Sequence, residues 1–361
     1  MLNAPEITEV FRSKHLVARA VLGMSNDRCV VTFDSFADNH SLGRPGFEQS
    51  TFRQSRVDSI HVIASDNNGY QNVDLPSLCS KVAEVTANYK HVVAYGSSMG
   101  GYAAIRYGRW AGAHLALALS PLFTLNPRKP PFDGRWKDHV AKVRFLHEHG
   151  QNVVKQAIVA YDPSDELDNA HTGLIHTITN VIPVPLPGSG HPCIGLLADL
   201  GLLHRIALEV LFDTFDPKSF IAEVCRRSEE APHFHLMKAL RARTFKEQYR
   251  LLTEASARAP THDATLHELA HKATLIGLPE VALAALDRAR RAEGRTPYLR
   301  ALAHAKAGRL ELVIELMEEL CQHSTDSPHY RIFLAKFKRQ RALQVSVHRP
   351  WQWFKAQFKA R

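Results

Sequence analysis

Residues 91–101 read HVVAYGSSMGG, an apolar run that passes directly into a turn rich in glycine and serine. The β-branched run predicts a buried strand over His91–Tyr95, and residues Met99–Arg109 predict a helix. Between them, Gly96 to Gly100 form a Gly-x-Ser-x-Gly pattern centred on Ser98. A serine on a sharp strand-to-helix turn needs small neighbours two positions away, because the helix returns close to the strand. The pattern therefore makes Ser98 a candidate nucleophile.

Short β-branched runs alternate with helix-like segments from about residue 29 to residue 205. Strands are predicted over Cys29–Phe33, Ser59–Ala64, His91–Tyr95, His114–Leu119, Gln156–Tyr161 and Ile178–Val184. Helices are predicted over Asp74–Tyr89, over Met99–Arg109 and from Cys193 to Leu203. Such alternation predicts an α/β class with a mostly parallel sheet and helices on both of its faces.

Over roughly residues 29–205 the chain resembles the α/β-hydrolase superfamily, and the run YGSSMGGYAA over residues 95–104 is similar to its esterase-type members. The resemblance implies the chain order serine, acid, histidine. It places the histidine at His191, in a glycine-rich loop after the last predicted strand. The acid follows Gln156–Tyr161: we prefer Asp165, with Asp162 as the alternative and Asp168 third. The rival histidines are His171, His176 and His204.

In that family Ser98 would attack the acyl carbon, and His191 would take its proton and deliver it to the leaving group. The backbone N–H of Met99 would face the developing oxyanion. The second donor would be Ser35 or Phe36, in the loop after an early strand. At this loop the sequence departs from the His-Gly pair that is common in the family.

Residues 121–151 form a candidate cap above the carboxyl edge of the sheet, where substrate walls lie in such folds. The candidate substrate-binding residues are Arg128, Arg135, Trp136 and, from a neighbouring segment, Tyr70. Basic and aromatic groups suit sugars or anionic substrates. The alternative, which we weigh equally, is that residues 121–151 form a surface segment without a substrate-binding role, in which Trp136 is buried.

After residue 205 the strand-like runs end, and a helical pattern begins. Residues 277–297 can be laid on residues 308–328, and in both copies a glycine ends one helix two residues before the next begins. This spacing is similar to degenerate tetratricopeptide (TPR-like) helical hairpins. An irregular helical bundle is the alternative. The predicted organisation is a hydrolase domain over 1–205, an all-α repeat-like domain over 206–330 and a tail over 331–361.

The formal charge of +9 comes from 45 basic and 36 acidic residues, and it belongs to the tail. After Asp326 there is no acidic residue, so the rest of the chain is formally neutral and nucleic acid is not an expected partner. A helix starting at Pro350 would align Trp351, Phe354 and Phe358 on one face. That face would contact an anionic membrane surface or the groove of a partner, or it would cap the helical region.

Composition and residue spacing also indicate the cellular compartment and the need for a metal or cofactor. The five widely spaced cysteines predict reduced thiols, and the charged residues among the first twenty argue against a signal-peptide core, so we expect a cytoplasmic protein. Neither His147-Glu148-His149 nor His233-Phe234-His235 has the spacing of a metal site, and no metal or cofactor is expected.

The sequence thus predicts a serine hydrolase that cleaves a small acylated substrate. Acylated carbohydrates are one candidate class of substrate. An acyltransferase that uses the same three residues is the alternative enzyme. A third reading is a catalytically vestigial scaffold that binds a protein partner through its helical region.

Overall fold

The structure is a computed structural model that describes residues 7–24, 27–37, 39–148, 152–290, 295–323 and 330–342. The chain divides into two compact units, residues 1–234 and residues 235–361. The predicted boundary at 205/206 falls inside a helix, Leu203–Leu211, whose residues Ile206 and Val210 belong to the core of the first unit. The first unit therefore extends past the predicted boundary.

One eight-stranded sheet organises the first unit. Its strands are β1 (Ile7–Arg12), β2 (Leu16–Val21), β3 (Arg28–Phe33), β4 (Asp58–Ala64), β5 (His91–Ser97), β6 (Leu115–Leu119), β7 (Gln156–Tyr161) and β8 (Asn180–Pro185). They lie in the order β1-β2-β4-β3-β5-β6-β7-β8. The β1–β2 and β2–β4 pairs are antiparallel, and all other pairs are parallel. The mostly parallel sheet is confirmed.

All six predicted runs form strands, whereas β1 and β2 were not predicted. β1 is largely exposed and carries Glu9 and Arg12, and Arg19 interrupts the apolar run of β2. β1 is an edge strand and β2 is interrupted by a charged residue, so each lacks the continuous apolar run that identifies a parallel strand buried on both faces.

Helices cover both faces of this sheet, as predicted. The helices of the first unit are α1 (Gln49–Gln54), α2 (Leu75–Thr86), α3 (Met99–Tyr107), α4 (Lys137–Val140), α5 (Glu166–Ile175), α6 (Ile194–Asp199), α7 (Leu203–Leu211) and α8 (Pro217–Arg227). Two apolar cores result. One contains Leu78 of α2 and Tyr102 of α3, and the other contains Ile206 of α7 and Phe220 of α8. Because successive strand residues point to opposite faces, each central strand contributes to both cores.

The second unit is helical, and neighbouring helices form pairs. The helices in and leading into it are α9 (Pro232–Leu240), α10 (Phe245–Arg258), α11 (Asp263–Leu275), α12 (Pro279–Arg288), α13 (Arg295–Lys306), α14 (Leu310–His323) and a helix over 330–342. Gly277 and Gly308 have φ of 85° and 74°, and each stands between two paired helices. The predicted helix pairs are confirmed, and their assignment as tetratricopeptide repeats stays a prediction.

Across the part of the chain that the structure describes, none of the helices has both the length and the apolar character needed to cross a membrane. The aromatic helix predicted from Pro350 onward lies outside the described residues, so contact with a membrane surface through it stays a prediction.

Candidate active site

Ser98 lies on the turn between β5 and α3, in a backbone conformation that non-glycine residues rarely adopt. Its φ is 52° and its ψ is −114°. A positive φ at a residue with a Cβ costs energy and persists only where the surroundings fix it. Here the backbone N–H of Ser98 donates to the carbonyl oxygen of Leu119, 2.8 Å away, at the end of β6. The side chain is buried.

The glycines on either side of Ser98 are required by the close approach of backbone to backbone. A Cβ on Gly96 would lie 2.4 Å from the backbone of Gly100, and a Cβ on Gly100 would lie 2.2 Å from the carbonyl oxygen of Phe33. These obstacles are main-chain atoms, so no side-chain rotation could relieve them. The Gly-x-Ser-x-Gly pattern is therefore a steric requirement of this turn.

His191 follows β8 and meets Ser98. Its Nε2 is 3.0 Å from the Oγ of Ser98, and its Nδ1 is 2.7 Å from Oδ1 of Asp168. An ionised carboxylate only accepts hydrogen bonds, so Nδ1 carries the proton and Nε2 is free to accept from the serine hydroxyl. The three side chains thus form one continuous hydrogen-bonded chain.

The carboxylate partner of His191 is Asp168, so the preference for Asp165 was wrong. Asp165 is the N-cap of α5, where its carboxylate accepts the N–H groups of Leu167 and Asp168. In the structure the helix begins at once, and its first turn carries the buried Asp168 to His191.

Asp162, the alternative acid, contacts the backbone of the loop before His191 and not its imidazole ring. Its side chain is fully buried, and its carboxylate accepts the N–H of Gly188 at 3.2 Å and the N–H of Gly190 at 2.7 Å. It also accepts the N–H of Ser164. Asp162 therefore fixes the loop that immediately precedes His191, and the contact with the imidazole is made by Asp168.

A second set of charges surrounds Asp168. Both terminal nitrogens of Arg135 lie 3.4 Å from Oδ1 of Asp168, and its Nε donates to Asp133 at 2.9 Å. Nδ1 of His171 accepts the backbone N–H of Phe123, so Nε2 is the donor to Asp133, 3.2 Å away. Burial opposes ionisation of Asp133, but these hydrogen bonds from His171 and Arg135 outweigh it and hold the pKa of Asp133 below its usual range.

The rival histidines lie elsewhere. His171 is hydrogen-bonded through Nε2 to Asp133, and His176 is exposed at the end of α5. His204 hydrogen-bonds through Nε2 to the hydroxyl of Ser55, 2.7 Å away, and burial lowers its pKa. Within the described residues, only His191 is hydrogen-bonded to Ser98 Oγ.

The three predicted oxyanion donors lie around this turn. The N–H of Met99 is in the first turn of α3, where a helix has no acceptor of its own and its dipole favours negative charge. The hydroxyl of Ser35 donates to the carbonyl oxygen of Ser97 at 2.8 Å, which fastens the loop after β3 to the turn. Phe36 follows in that loop. The role of these N–H groups stays a prediction.

The four predicted substrate-binding residues separate into different places. The ring of Trp136 lies 6.2 Å from that of His191, and Arg135 contacts Asp168. Arg128 is exposed further along the same excursion. Tyr70 is fully buried, and its hydroxyl donates to the carbonyl oxygen of Asp34, 3.0 Å away. Tyr70 therefore holds the loop after β3 through this hydrogen bond. It is not exposed to a substrate, so its prediction as a substrate-binding residue was wrong.

The excursion after β6 is anchored to α3 at both of its ends. Near its start, Arg106 donates to the carbonyl oxygen of Phe123 at 2.8 Å. At its far end, Glu148 is buried and accepts hydrogen bonds from Tyr102 and Thr124. Between these anchors, the segment that contains Asp133, Arg135 and Trp136 contacts the Asp168–His191 pair. The candidate cap is thus joined directly to the site.

The sheet, the strand–turn–helix around Ser98 and the chain order Ser98, Asp168, His191 decide the architecture. The first unit has the α/β-hydrolase fold.

Solved structures with distant likeness include EstE7 from a metagenome library, an HSL homologue, at 11% identity and a TM-score of 0.38, covering 63% of this chain and 87% of that one. Dienelactone hydrolase from Anabaena variabilis is 14% identical with a TM-score of 0.37, covering 59% and 99%. Est1E from Butyrivibrio proteoclasticus is 14% identical with a TM-score of 0.35, covering 56% and 98%. At these TM-scores they assign neither substrate nor mechanism to this chain.

No family model matches the chain, and no curated protein matches it.

The spacing of Asp165 and Asp168 held a signal that pointed to the observed pair. An aspartate followed three residues later by a second acid is typical of a helix N-terminus, because the first caps the helix and the second lies in its first turn. Read in this way, the sequence favours Asp165 as a cap. The cluster of Asp133, Arg135 and His171 had no comparable signal, because its members come from two separate segments.

Proposed function

We propose that the protein is a serine hydrolase that cleaves an ester through an acyl-enzyme, with Ser98 as nucleophile, His191 as general base and acid, and Asp168 as the residue that orients His191. The observation that carries the proposal is the continuous chain of two hydrogen bonds, 3.0 Å from Ser98 to His191 and 2.7 Å from His191 to Asp168. Nucleophile, base and orienting group within such reach are the requirement for covalent acyl transfer.

In the first half of the reaction, Ser98 Oγ forms a bond to the acyl carbon while Nε2 of His191 takes the hydroxyl proton. The carbonyl π electrons move to the oxygen, and this oxyanion would be stabilised by the N–H of Met99 with that of Ser35 or Phe36. When the intermediate collapses, the bond to the leaving alcohol breaks. His191 then gives its proton to that alcohol, and Ser98 is left acylated.

In the second half, water takes the place of the alcohol. Its oxygen attacks the acyl carbon while Nε2 of His191 accepts a proton from the water. Collapse of this intermediate breaks the bond to Ser98 Oγ, which recovers the proton, and the carboxylic acid leaves. Asp168 keeps Nδ1 protonated in both halves and stabilises the imidazolium, and because it is buried this interaction is not weakened by solvent.

A fluorophosphonate probe tests the proposal, because it phosphonylates an activated serine without needing the natural substrate. We expect one equivalent to bind the wild type at Ser98, and the wild type to hydrolyse 4-nitrophenyl acetate. Ser98→Ala should lose both. The matched control is Ser97→Ala, one residue away and also buried, which should keep the labelling. Labelling that persists in Ser98→Ala would refute Ser98 as the nucleophile.

A further inference from the structure

A cavity of about 400 Å³ in the first unit is not used by the chemistry described above. Its walls come from the segments that follow β3 and β4 and from the excursion around α4. The side chains that matter for its chemistry are His40, Asp66, Asn68, His139, Lys142 and Arg144. Polar and charged groups dominate this lining, whereas most small-molecule sites are lined chiefly by apolar side chains.

Three aromatic contacts connect the wall of this cavity to the proposed active site. The ring of His139 lies edge-on to that of Phe36, with centroids 4.6 Å apart. Phe36 in turn lies 4.9 Å from Trp136, and Trp136 lies 6.2 Å from His191. Two aromatic rings, Phe36 and Trp136, therefore separate the cavity wall at His139 from His191.

The charge of the cavity is positive. Lys142 and Arg144 are exposed on its wall, and among the described residues no carboxylate lies within ion-pair distance of either. The carboxylate in the lining, Asp66, is already bound by His15 at 3.0 Å and by the hydroxyl of Ser65 at 2.8 Å. The two cations outnumber the one carboxylate of this lining and form no ion pair among the described residues, which favours an anionic ligand.

The hydrogen-bonding groups of the cavity favour hydroxyls. Asn68 donates through Nδ2 to Asn72, while its Oδ1 is buried without a partner. Nδ1 of His40 donates to the carbonyl oxygen of Ser65, 2.6 Å away, which leaves its Nε2 as an acceptor. Because the ring of His40 is exposed on the cavity lining, its Nε2 can accept a hydrogen bond from a ligand hydroxyl.

We propose that this cavity binds the alcohol part of the substrate, and that this part is a hydroxylated anion such as a sugar acid or a sugar phosphate. Lys142 and Arg144 would bind the anionic group, and Nε2 of His40 would accept from a hydroxyl. The proposal rests on the proposed function for its catalytic consequence, whereas binding itself requires no reaction.

Binding is therefore measured on the Ser98→Ala protein by isothermal titration, with D-glucuronate, D-glucose 6-phosphate and D-glucose as probes. We expect at least one of the two anions to bind at least tenfold more tightly than glucose, and the tighter of the two identifies the anionic group. Affinity should fall with added salt, because the exposed cations are screened. Equal affinity for glucose, or no binding of either anion, would overturn the proposal.

The double substitution Lys142→Gln and Arg144→Gln should weaken anion binding at least tenfold. Its matched control, Lys137→Gln with Lys155→Gln, removes the same charge from exposed positions of the first unit outside the cavity lining. The control should bind the anions as before and hydrolyse 4-nitrophenyl acetate at the wild-type rate. Circular dichroism melting of both double variants checks that each is folded. Equal loss in the two pairs would mean a general charge effect and would contradict the site.

A second readout separates the two proposals. The anion that binds should competitively inhibit hydrolysis of 4-nitrophenyl acetate by the wild type, and the inhibition should weaken at least tenfold in the Lys142/Arg144 variant. If fluorophosphonate labelling fails while the anion still binds, the proposed function is wrong and the cavity site stands. If labelling succeeds and neither anion binds or inhibits, the cavity proposal is wrong and the proposed function stands.

Discussion

The turn after β5 and the segment after β7 both bring a side chain to His191, but different forces hold them. Ser98 is fixed by main-chain contacts, since Gly96 and Gly100 lie against backbone atoms with no room for a Cβ. Asp168 is fixed by side chains, through the cap at Asp165 and the ion pair with Arg135. Main-chain packing tolerates almost no substitution, whereas a network of side chains can lose one member and keep its shape. The two regions should therefore respond differently to mutation.

Among substitutions outside the three proposed catalytic residues, the largest effect is expected at the β5 turn. Gly100→Ala would force the backbone of the turn away from Phe33, because the new Cβ would lie 2.2 Å from a carbonyl oxygen. We expect a loss of about 1–3 kcal/mol or more in the free energy of unfolding, and a fall of at least ~10²-fold in activity as Ser98 shifts. Urea denaturation and 4-nitrophenyl acetate hydrolysis measure the two.

The control for this change is Gly173→Ala, in the helix of the other region. A Cβ there meets nothing within 4 Å, so the substitution should stabilise the protein by about 0.5–1 kcal/mol and leave activity intact. If Gly100→Ala were equally well tolerated, main-chain packing would not be what holds Ser98.

The next effect concerns the loop before His191. In Asp162→Asn the side chain keeps one acceptor oxygen, so one of the N–H groups of Gly188 and Gly190 loses its partner. A loop that is misplaced by about 1 Å can cost ~10²-fold in rate, and we expect a fall of this order in kcat with KM little changed. Steady-state kinetics provide the check. A variant as fast as the wild type would show that the position of His191 does not depend on Asp162.

A smaller effect is expected in stability and depends on pH. Because hydrogen bonds hold the folded pKa of Asp133 below its unfolded value of 3.8, its ionised form stabilises the fold at neutral pH. Asp133→Asn should cost about 1.5–3 kcal/mol at pH 7. The difference between variant and wild type should shrink as the pH falls below about 4, because the wild type then loses this contribution. Urea denaturation of both proteins at pH 7 and pH 3 measures this difference. A difference in the free energy of unfolding that is larger at pH 3 than at pH 7 would contradict the prediction.

The smallest effect is expected at the cap of α5. Asp165→Ala removes the acceptor for the N–H groups of Leu167 and Asp168, at a cost of about 1 kcal/mol in stability. Activity should stay within a few-fold of the wild type, since Arg135 and the buried surroundings still hold Asp168. Thermal melting and kinetics on the same samples separate the two effects. A large loss of activity at unchanged stability would contradict the assignment of Asp165 as a cap.

The same contrast explains what the sequence could predict. The β5 turn was found because a local steric requirement imposes its residues within six positions, and the apolar central strands were found because burial on both faces imposes continuous apolar runs. β1, β2 and α5 were missed, since an exposed edge strand, a strand interrupted by Arg19 and a helix with polar residues lack such runs. Tyr70 was misplaced because a tyrosine in a polar segment resembles a surface residue, whereas its ring fills the space beside Phe33.

The arrangement of acids could not be settled from spacing. Asp162, Asp165 and Asp168 all follow β7 within seven residues, and each contributes to the site in a different way. Which of them reaches His191 depends on where α5 begins and on how the excursion after β6 places Arg135. The start of α5 has a local signal in the spacing of Asp165 and Asp168, whereas the position of Arg135 is set by tertiary contacts that the neighbourhood of the three aspartates does not encode.

The rate of fluorophosphonate labelling in Asp168→Asn and Asp165→Asn tests the central claim most directly. It reports the reactivity of Ser98 without any assumption about the substrate. We predict that Asp165→Asn labels within a few-fold of the wild type, and that Asp168→Asn labels slower by ~10³–10⁴-fold, as expected when the imidazole loses its orienting carboxylate. Slow labelling of Asp165→Asn together with wild-type labelling of Asp168→Asn would contradict the account.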